Sequence, residues 1–173
     1  MSPRDASNAV GTLFLAEIER GYHAQKSLAE RALDQLEPED WHRVLDDGSN
    51  SVAVIVRHLA GNLRSRWRDF LTSDGEKADR QRDDEFEEGD HTVPSMLAEW
   101  EVGFSEVFGT LAGMTPADLN RTITIRGEEL NVVRAMLRNL EHTSHHVGQV
   151  VMLAKHWRGD EWRTLSIPKK PKA

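Results

Sequence analysis

Apolar positions recur at helical spacing in four separate stretches of the chain. They cover residues 7–36, residues 52–71, a stretch that opens at Pro94 and closes at Gly113, and residues 128–156. Apolar residues three and four positions apart form one face of a helix. The pattern therefore predicts four amphipathic helices around one core, an all-α four-helix bundle.

The segment before the last predicted helix has a different pattern. Residues 121–127 alternate β-branched and polar side chains, which is typical of one short strand or an extended crossover. Neither an internal repeat nor a change of composition marks a boundary. We therefore predict a single domain over residues 1–173, with this short extended or β segment before its last helix.

Composition excludes several kinds of chemistry. The 173 residues include no cysteine, so disulfides, thiolate metal sites and a cysteine nucleophile are absent. The net charge is -7, and residues 74–90 hold nine acidic and three basic residues, a run that we expect to be a solvated loop. Without a basic stripe, nucleic-acid binding is not expected. Without a membrane-length apolar run or a signal-peptide pattern, we expect a soluble, cytoplasmic protein.

Two histidines lie four residues apart in the last predicted helix. Between residues 139 and 154 Glu141 is the only charged residue besides histidine, so this helix should be buried on more than one side. His142 and His146 share one helical face, about 6 Å apart along the axis. Both imidazoles can reach one point, and this spacing is common among pairs of zinc ligands.

A third ligand has to come from another part of the chain. His58 is the best candidate, because it lies mid-helix at the edge of the apolar arc of the second predicted helix. A histidine beside apolar residues is more often a hydrogen-bonded core residue, so both interpretations stay open on spacing alone. His145 points about 100° away from His146 and is a weaker candidate. The other histidines lack a paired spacing and are interpreted as surface or packing residues: His23, His42, His91 and His156.

Four segments carry a resemblance to a known group of proteins. They are NSVAVIVRHLAGN (residues 50–62), RWRDFLTSDGE (66–76), HTSHHVGQV (142–150) and WRTLSIP (162–168). Together they resemble the DinB-like superfamily of YfiT-like metal-dependent enzymes, in a branch described mainly as a domain of unknown function. The resemblance implies a four-helix bundle, often dimeric, with a metal ion held by one histidine of the second helix and two of the last.

Those ligand positions correspond to His58, His142 and His146. Three imidazoles suit zinc, nickel, iron or copper, so the identity of the divalent ion stays open. The free ring nitrogens of metal ligands are usually held by further side chains. Residues at suitable helical register for this role are Asn62, Arg138 and Gln149, although an ordinary hydrogen bond between helices is an equal alternative for each.

Three functions are compatible with such a site. Superfamily members transfer a low-molecular-weight thiol, such as bacillithiol, mycothiol or glutathione, to an electrophile, and this is the leading hypothesis. A metal-dependent hydrolase is the second, although the sequence lacks a His-Glu-x-x-His pattern and assigns no catalytic base. The third is a non-catalytic metal-binding stress or interaction protein. We expect a small-molecule substrate and a homodimer, the latter because the charge-poor last helix has spare apolar surface.

Overall fold

The computed structural model describes residues 3–167 and shows four α-helices in that range. They are α1 (Pro3–Leu33), α2 (Val52–Trp67), α3 (Val93–Gly113) and α4 (Val132–Arg158). Short 3₁₀ helices cover Pro38–His42, Asp83–Phe86, Pro116–Asn120 and Gly159–Glu161. The predicted all-α bundle is confirmed. Residues 1–2 and 168–173, which include the end of the last resemblance motif and part of the N-terminal segment, lie outside the described range.

The helices begin where side chains can cap them. The Ser51 hydroxyl accepts a hydrogen bond from the backbone N–H of Val54 at the start of α2. Thr92 does the same for Ser95 in α3, and Asn131 for Arg134 in α4. Each cap satisfies a backbone donor that has no partner within its own helix. Helix α4 thereby begins at Val132, four residues later than the sequence pattern predicted.

A two-stranded antiparallel hairpin precedes α4. Strands β1 (Thr122–Ile125) and β2 (Glu128–Asn131) pair with Ile125 opposite Glu128, so Arg126 and Gly127 form a two-residue turn. The short β segment is confirmed, but the prediction that the last helix begins at residue 128 is wrong. Residues 128–131 complete the hairpin, and this pairing buries Ile123 and Ile125 against the bundle.

The core is built around α2, which packs on both α3 and α4. Tyr22, Trp67, Trp100 and Phe104 are among its largest fully buried side chains. Trp41, in the 3₁₀ helix between α1 and α2, is 2% exposed and belongs to the same core. Burying such large aromatic side chains supplies much of the hydrophobic stabilisation of the fold.

Some sequence-based predictions reach beyond the fold of one chain. Within residues 3–167, no helix combines the length and the apolar character that a membrane-spanning segment needs. On α4, Leu137 and Met152 are 36% and 54% exposed. The homodimer, the single-domain assignment and the cytoplasmic location stay predictions.

Candidate metal centre

The three predicted histidines come together between α2 and α4. His58 lies midway along α2, and His142 and His146 lie one turn apart on the facing side of α4. Each offers a ring nitrogen, and these three atoms all lie within 4.8 Å of one another. The arrangement could hold a metal ion.

The rings surround a common point. Ring centroids lie 5.3 Å apart for His58 and His142, 5.0 Å for His58 and His146, and 4.6 Å for His142 and His146. The planes of these pairs meet at 67°, 70° and 73°. The rings therefore meet edge to face and do not stack, and each brings one nitrogen to the same small region.

Two of the imidazoles are held by their Nδ1 atoms. His58 Nδ1 lies 3.0 Å from Glu85 Oε2, and His146 Nδ1 lies 2.7 Å from Gln149 Oε1. Since a carboxylate and an amide oxygen only accept hydrogen bonds, each Nδ1 carries the hydrogen and donates it. In the neutral imidazoles, the Nε2 atoms of His58 and His146 therefore carry the lone pairs that a metal ion needs.

The separation of two of the nitrogens fits a tetrahedral ion. His58 Nε2 and His142 Nε2 lie 3.3 Å apart. Two nitrogens bound to one zinc ion at about 2.0–2.1 Å with a tetrahedral angle would lie about 3.3 Å apart. The donor set is also suitable, because neutral imidazoles are common ligands of zinc, nickel and iron.

The two imidazoles on α4 are kept neutral. Burial lowers the pKa of His142 to about 3, and electrostatic repulsion from His146 and His58 in their protonated forms and from Arg66 and Arg80 lowers it further. Burial also lowers the pKa of His146, although the hydrogen bond to Gln149 opposes that change. A histidine must lose its ring proton to bind a metal ion, so both side chains are ready at neutral pH.

Glu85, the partner of His58, is itself held in place. It is 8% exposed and accepts hydrogen bonds from Arg80 Nε at 2.8 Å and from Arg80 Nη2 at 2.7 Å. Burial by itself would raise the pKa of Glu85, but the hydrogen bonds from His58 and Arg80 outweigh it and lower that pKa. An ionised carboxylate in this position orients the imidazole and increases its basicity.

The segment that carries Glu85 covers one side of the cluster. The Phe86 ring packs on the His58 ring with centroids 4.6 Å apart. The Arg57 guanidinium donates to the backbone oxygens of Asp84 and Glu87, at 2.7 and 2.6 Å. The acidic run was predicted to be a solvated loop, and this describes only part of it. Its 3₁₀ helix Asp83–Phe86 packs on α2.

A buried amide network lies one helical turn away from the histidines. Asn139 Oδ1 accepts from the Tyr22 hydroxyl and from Trp67 Nε1, both at 2.8 Å. Asn139 Nδ2 donates to Asn62 Oδ1 at 2.8 Å. These bonds join α1, α2 and α4 and fix the register between the two helices that carry the histidines.

The predicted supporting residues have different outcomes. The contact of Gln149 with His146 is confirmed. For Asn62 the alternative applies, because its side-chain oxygen accepts a hydrogen bond from Asn139 between the two helices. Arg138 makes no hydrogen bond to a histidine among the described residues, and His142 Nδ1 is buried without a partner there. His145 is exposed, as expected of a residue outside the cluster.

Sequence reasoning missed Glu85 and Arg80. Both belong to the acidic run of residues 74–90, and this composition favoured a solvated loop. Phe86, an apolar residue inside the charged run, was the available sign that this part of the run packs on the bundle. Which acidic residue would reach His58 depends on how the segment folds back, and the sequence pattern does not contain that information.

A cavity of about 200 Å³ opens beside the cluster, with His58 and His142 in its wall. A larger cavity of about 420 Å³ lies between α2, α3 and the segment after α2, and none of the three histidines lines it. A small molecule in the smaller cavity would therefore lie against His58 and His142.

The fold and the cluster define a class of protein, a four-helix bundle with three convergent histidines between its second and fourth helices. Within that class, the chain belongs to the DUF1572 family, described as "protein of unknown function", whose model matches residues 9–171. No curated protein and no solved structure matches the chain. Membership of the wider DinB-like superfamily stays a prediction from the sequence motifs.

Proposed function

We propose that the protein is a divalent-metal-dependent enzyme that transfers a low-molecular-weight thiol to an electrophilic small molecule. The observation that carries the proposal is the 3.3 Å separation of the Nε2 atoms of His58 and His142, with the Nδ1 atom of His58 held by Glu85. A nitrogen of His142 this close to the Nε2 lone pair of His58 is suited to sharing one cation with it.

The donor set supports catalysis more than a purely structural role. Three protein ligands leave at least one coordination position open, as in catalytic zinc sites, whereas structural sites are filled by four. A divalent ion bound there would lower the pKa of a thiol or water that enters the open position. Zinc, nickel and iron all suit the three imidazoles.

The surroundings of the site favour a thiol over water as the nucleophile. Among the described residues, no carboxylate lines the cavity beside the histidines. Glu85 is bound by His58 and Arg80, and Glu76 by Arg66, Arg80 and Arg126. A carboxylate engaged in this way is a poor general base, and activation of water would benefit from one.

Transfer of a thiol needs less from the protein's own side chains. The chain has no cysteine, so the sulfur comes from a separate molecule. The sulfur forms a bond to the electrophilic carbon, the leaving group departs with its electron pair, and the thiol proton passes to solvent. Positive charge from Arg66 and Arg80 in the cavity wall would also favour the thiolate.

The test combines metal loading with a thiol assay. Purified, zinc-loaded protein is incubated with glutathione, bacillithiol or mycothiol and a chromogenic electrophile such as a chlorodinitrobenzene. We expect thiol-dependent product formation that falls at least a hundredfold in His58→Ala and is unchanged in His145→Ala, which alters an exposed histidine on α4.

Each alternative gives a different result. Turnover of an activated ester that is equal with and without thiol would replace the proposal with metal-dependent hydrolysis. Stoichiometric metal without turnover of either kind would leave a metal-binding protein with no catalytic role.

A further inference from the structure

We propose that the cavity beside the histidine cluster binds the oxyanion group, a carboxylate or a phosphate, of a small-molecule substrate. The inference deepens the proposed function, on which it rests, by naming the chemical class of the molecule that reaches the histidines. It is drawn from the charge, the hydrogen-bonding state and the placement of the arginines in the cavity wall.

The wall of the cavity has a strong bias toward positive charge. Five of its lining residues are arginines, and none is acidic. The arginines are Arg66, Arg80, Arg82, Arg126 and Arg138. The whole chain has a net charge of -7, so this concentration is not its average composition. A cavity with such walls attracts anions and raises their local concentration.

Some of this charge has a structural use. Arg80 directs Nε and Nη2 to Glu85 and Nη1 to Glu76, and its side chain is 4% exposed. Arg66 donates to the Gly75 carbonyl and to Glu76. These two guanidiniums stabilise the carboxylates behind the cavity and have few hydrogens left for a ligand. They contribute positive electrostatic potential to the cavity more than hydrogen bonds to a ligand.

Arg82 pairs with Asp83, whereas Arg126 and Arg138 leave positive charge in excess. Arg126 uses only its Nε, which donates to Glu76 at 2.9 Å, and its side chain is 56% exposed. Arg138 is exposed and has no hydrogen-bond or ion-pair partner among the described residues. The terminal nitrogens of both guanidiniums can donate paired hydrogen bonds, the geometry that carboxylates and phosphates accept.

The hairpin explains how Arg126 reaches the cavity. Arg126 has φ 57° and Gly127 has φ 75° in the turn between β1 and β2. A left-handed backbone is unfavourable for arginine, so an outside group has to stabilise it. Asp74 does so, because its carboxylate accepts from the backbone N–H groups of Arg126 and Gly127, both at 2.8 Å.

The dimensions suit an anionic end group. About 200 Å³ is below the roughly 300–1,000 Å³ of pockets that enclose drug-sized ligands. His58 and His142 share this wall with the arginines, so an oxyanion bound by Arg126 and Arg138 places the rest of its molecule at the ring nitrogens. A thiol or an electrophile that carries a carboxylate or phosphate has the required form.

The test measures anion binding directly by calorimetry on zinc-loaded protein, with activity left aside. The probes are inorganic phosphate, succinate and uncharged succinamide. We compare wild type with Arg126→Gln, Arg138→Gln and the matched control Arg134→Gln, which removes the same charge one turn earlier on α4. All proteins hold the same ion, so anion coordination to zinc contributes equally and the differences report the arginines.

We expect phosphate or succinate to bind and succinamide not to bind. Each cavity variant should weaken binding about tenfold, and Arg134→Gln less than twofold. Preference for succinate over phosphate, or the reverse, identifies the oxyanion. The inference is overturned if neither anion binds, or if the cavity variants bind as tightly as the control.

Zinc content of the same samples separates this inference from the proposed function. Full zinc without any anion binding overturns the oxyanion site and leaves the metal centre intact. The opposite result is wild-type protein that takes up no zinc but binds the anion, with weaker binding in Arg126→Gln and Arg138→Gln. It supports the oxyanion site and removes the proposed metal-dependent chemistry.

Discussion

At the scale of single residues, the site depends on a position without a side chain. A Cβ atom on Gly61 would lie 2.1 Å from Glu85 Oε1 and 2.8 Å from Glu85 Cδ. Helix α2 tolerates glycine in its interior at a cost of about 1 kcal/mol relative to alanine. The close approach of the Glu85 carboxylate explains why a glycine occupies this position despite that cost, because only glycine leaves room for Glu85 beside His58.

Gly61→Ala should therefore damage metal binding more than folding. The new methyl group displaces the end of a flexible side chain and no backbone, so the helix persists, but Glu85 loses its position against His58. We expect zinc affinity to fall about 10- to 100-fold, as for other losses of a group that orients a ligand. Competition with a chromogenic chelator measures it.

Gly148→Ala is the matched control on α4, where a Cβ would meet no atom within 4 Å. It should raise the free energy of unfolding by about 0.5–1 kcal/mol and leave zinc affinity unchanged. Equal zinc affinity in both variants would remove Glu85 from the account of the site.

At the scale of elements, the histidine-bearing helices are joined by one amide. Asn139 on α4 is 8% exposed and bonds Tyr22 on α1, and Asn62 and Trp67 on α2. Its carbonyl oxygen accepts two hydrogen bonds and its amide donates one, so three elements depend on one side chain.

Asn139→Ala should lower the free energy of unfolding by roughly 3 kcal/mol. The change leaves the Tyr22 hydroxyl and the Trp67 N–H buried without acceptors, and each unsatisfied group costs about 1–3 kcal/mol. Urea unfolding followed by tryptophan fluorescence measures the change. Ser144→Ala, on the same helix, should cost under about 0.5 kcal/mol. If Asn139→Ala lowers the free energy of unfolding no more than that control does, Asn139 does not join the three helices as described.

The hairpin that presents Arg126 should open in acid. Burial tends to raise the pKa of Asp74, but backbone hydrogen bonds from Glu76, Gly127 and Arg126 outweigh it and lower that pKa to about 2. Because the folded pKa is below the unfolded value of 3.8, the stabilisation is present above about pH 4. It is lost as pH falls toward 2 and the carboxylate is protonated.

Nuclear magnetic resonance can follow this transition through the amide shift of Gly127. We expect a titration midpoint near pH 2 in wild type and no such step in Asp74→Asn. A midpoint near 4 would show that the turn does not hold the carboxylate as described.

At the scale of the whole molecule, the sequence pattern predicted the features that depend on residues close together in the chain. Helical periodicity gave the four helices, and the spacing of His142 and His146 placed both on one face of α4. That His58 meets them depends on the packing of α2 against α4, which the resemblance, and not the spacing, indicated. Whether the three bind an ion stays a prediction.

The parts that the sequence did not predict depend on distant contacts. The turn Arg126–Gly127 is favoured by Asp74, which lies far away along the chain, so residues 128–131 were interpreted as helix. Glu85 belongs to an acidic run, and only its tertiary pairing with Arg80 and His58 distinguishes it from its neighbours. Local propensity contains neither contact.

The metal content of purified protein tests the central claim most directly. Elemental analysis after zinc loading and gel filtration compares wild type with His58→Ala, His142→Ala, His146→Ala and the control His145→Ala. The account predicts about one ion per chain in wild type and in His145→Ala, and almost none in the other three. Wild-type protein without bound metal, or a His58→Ala variant that retains as much as the control, would contradict it.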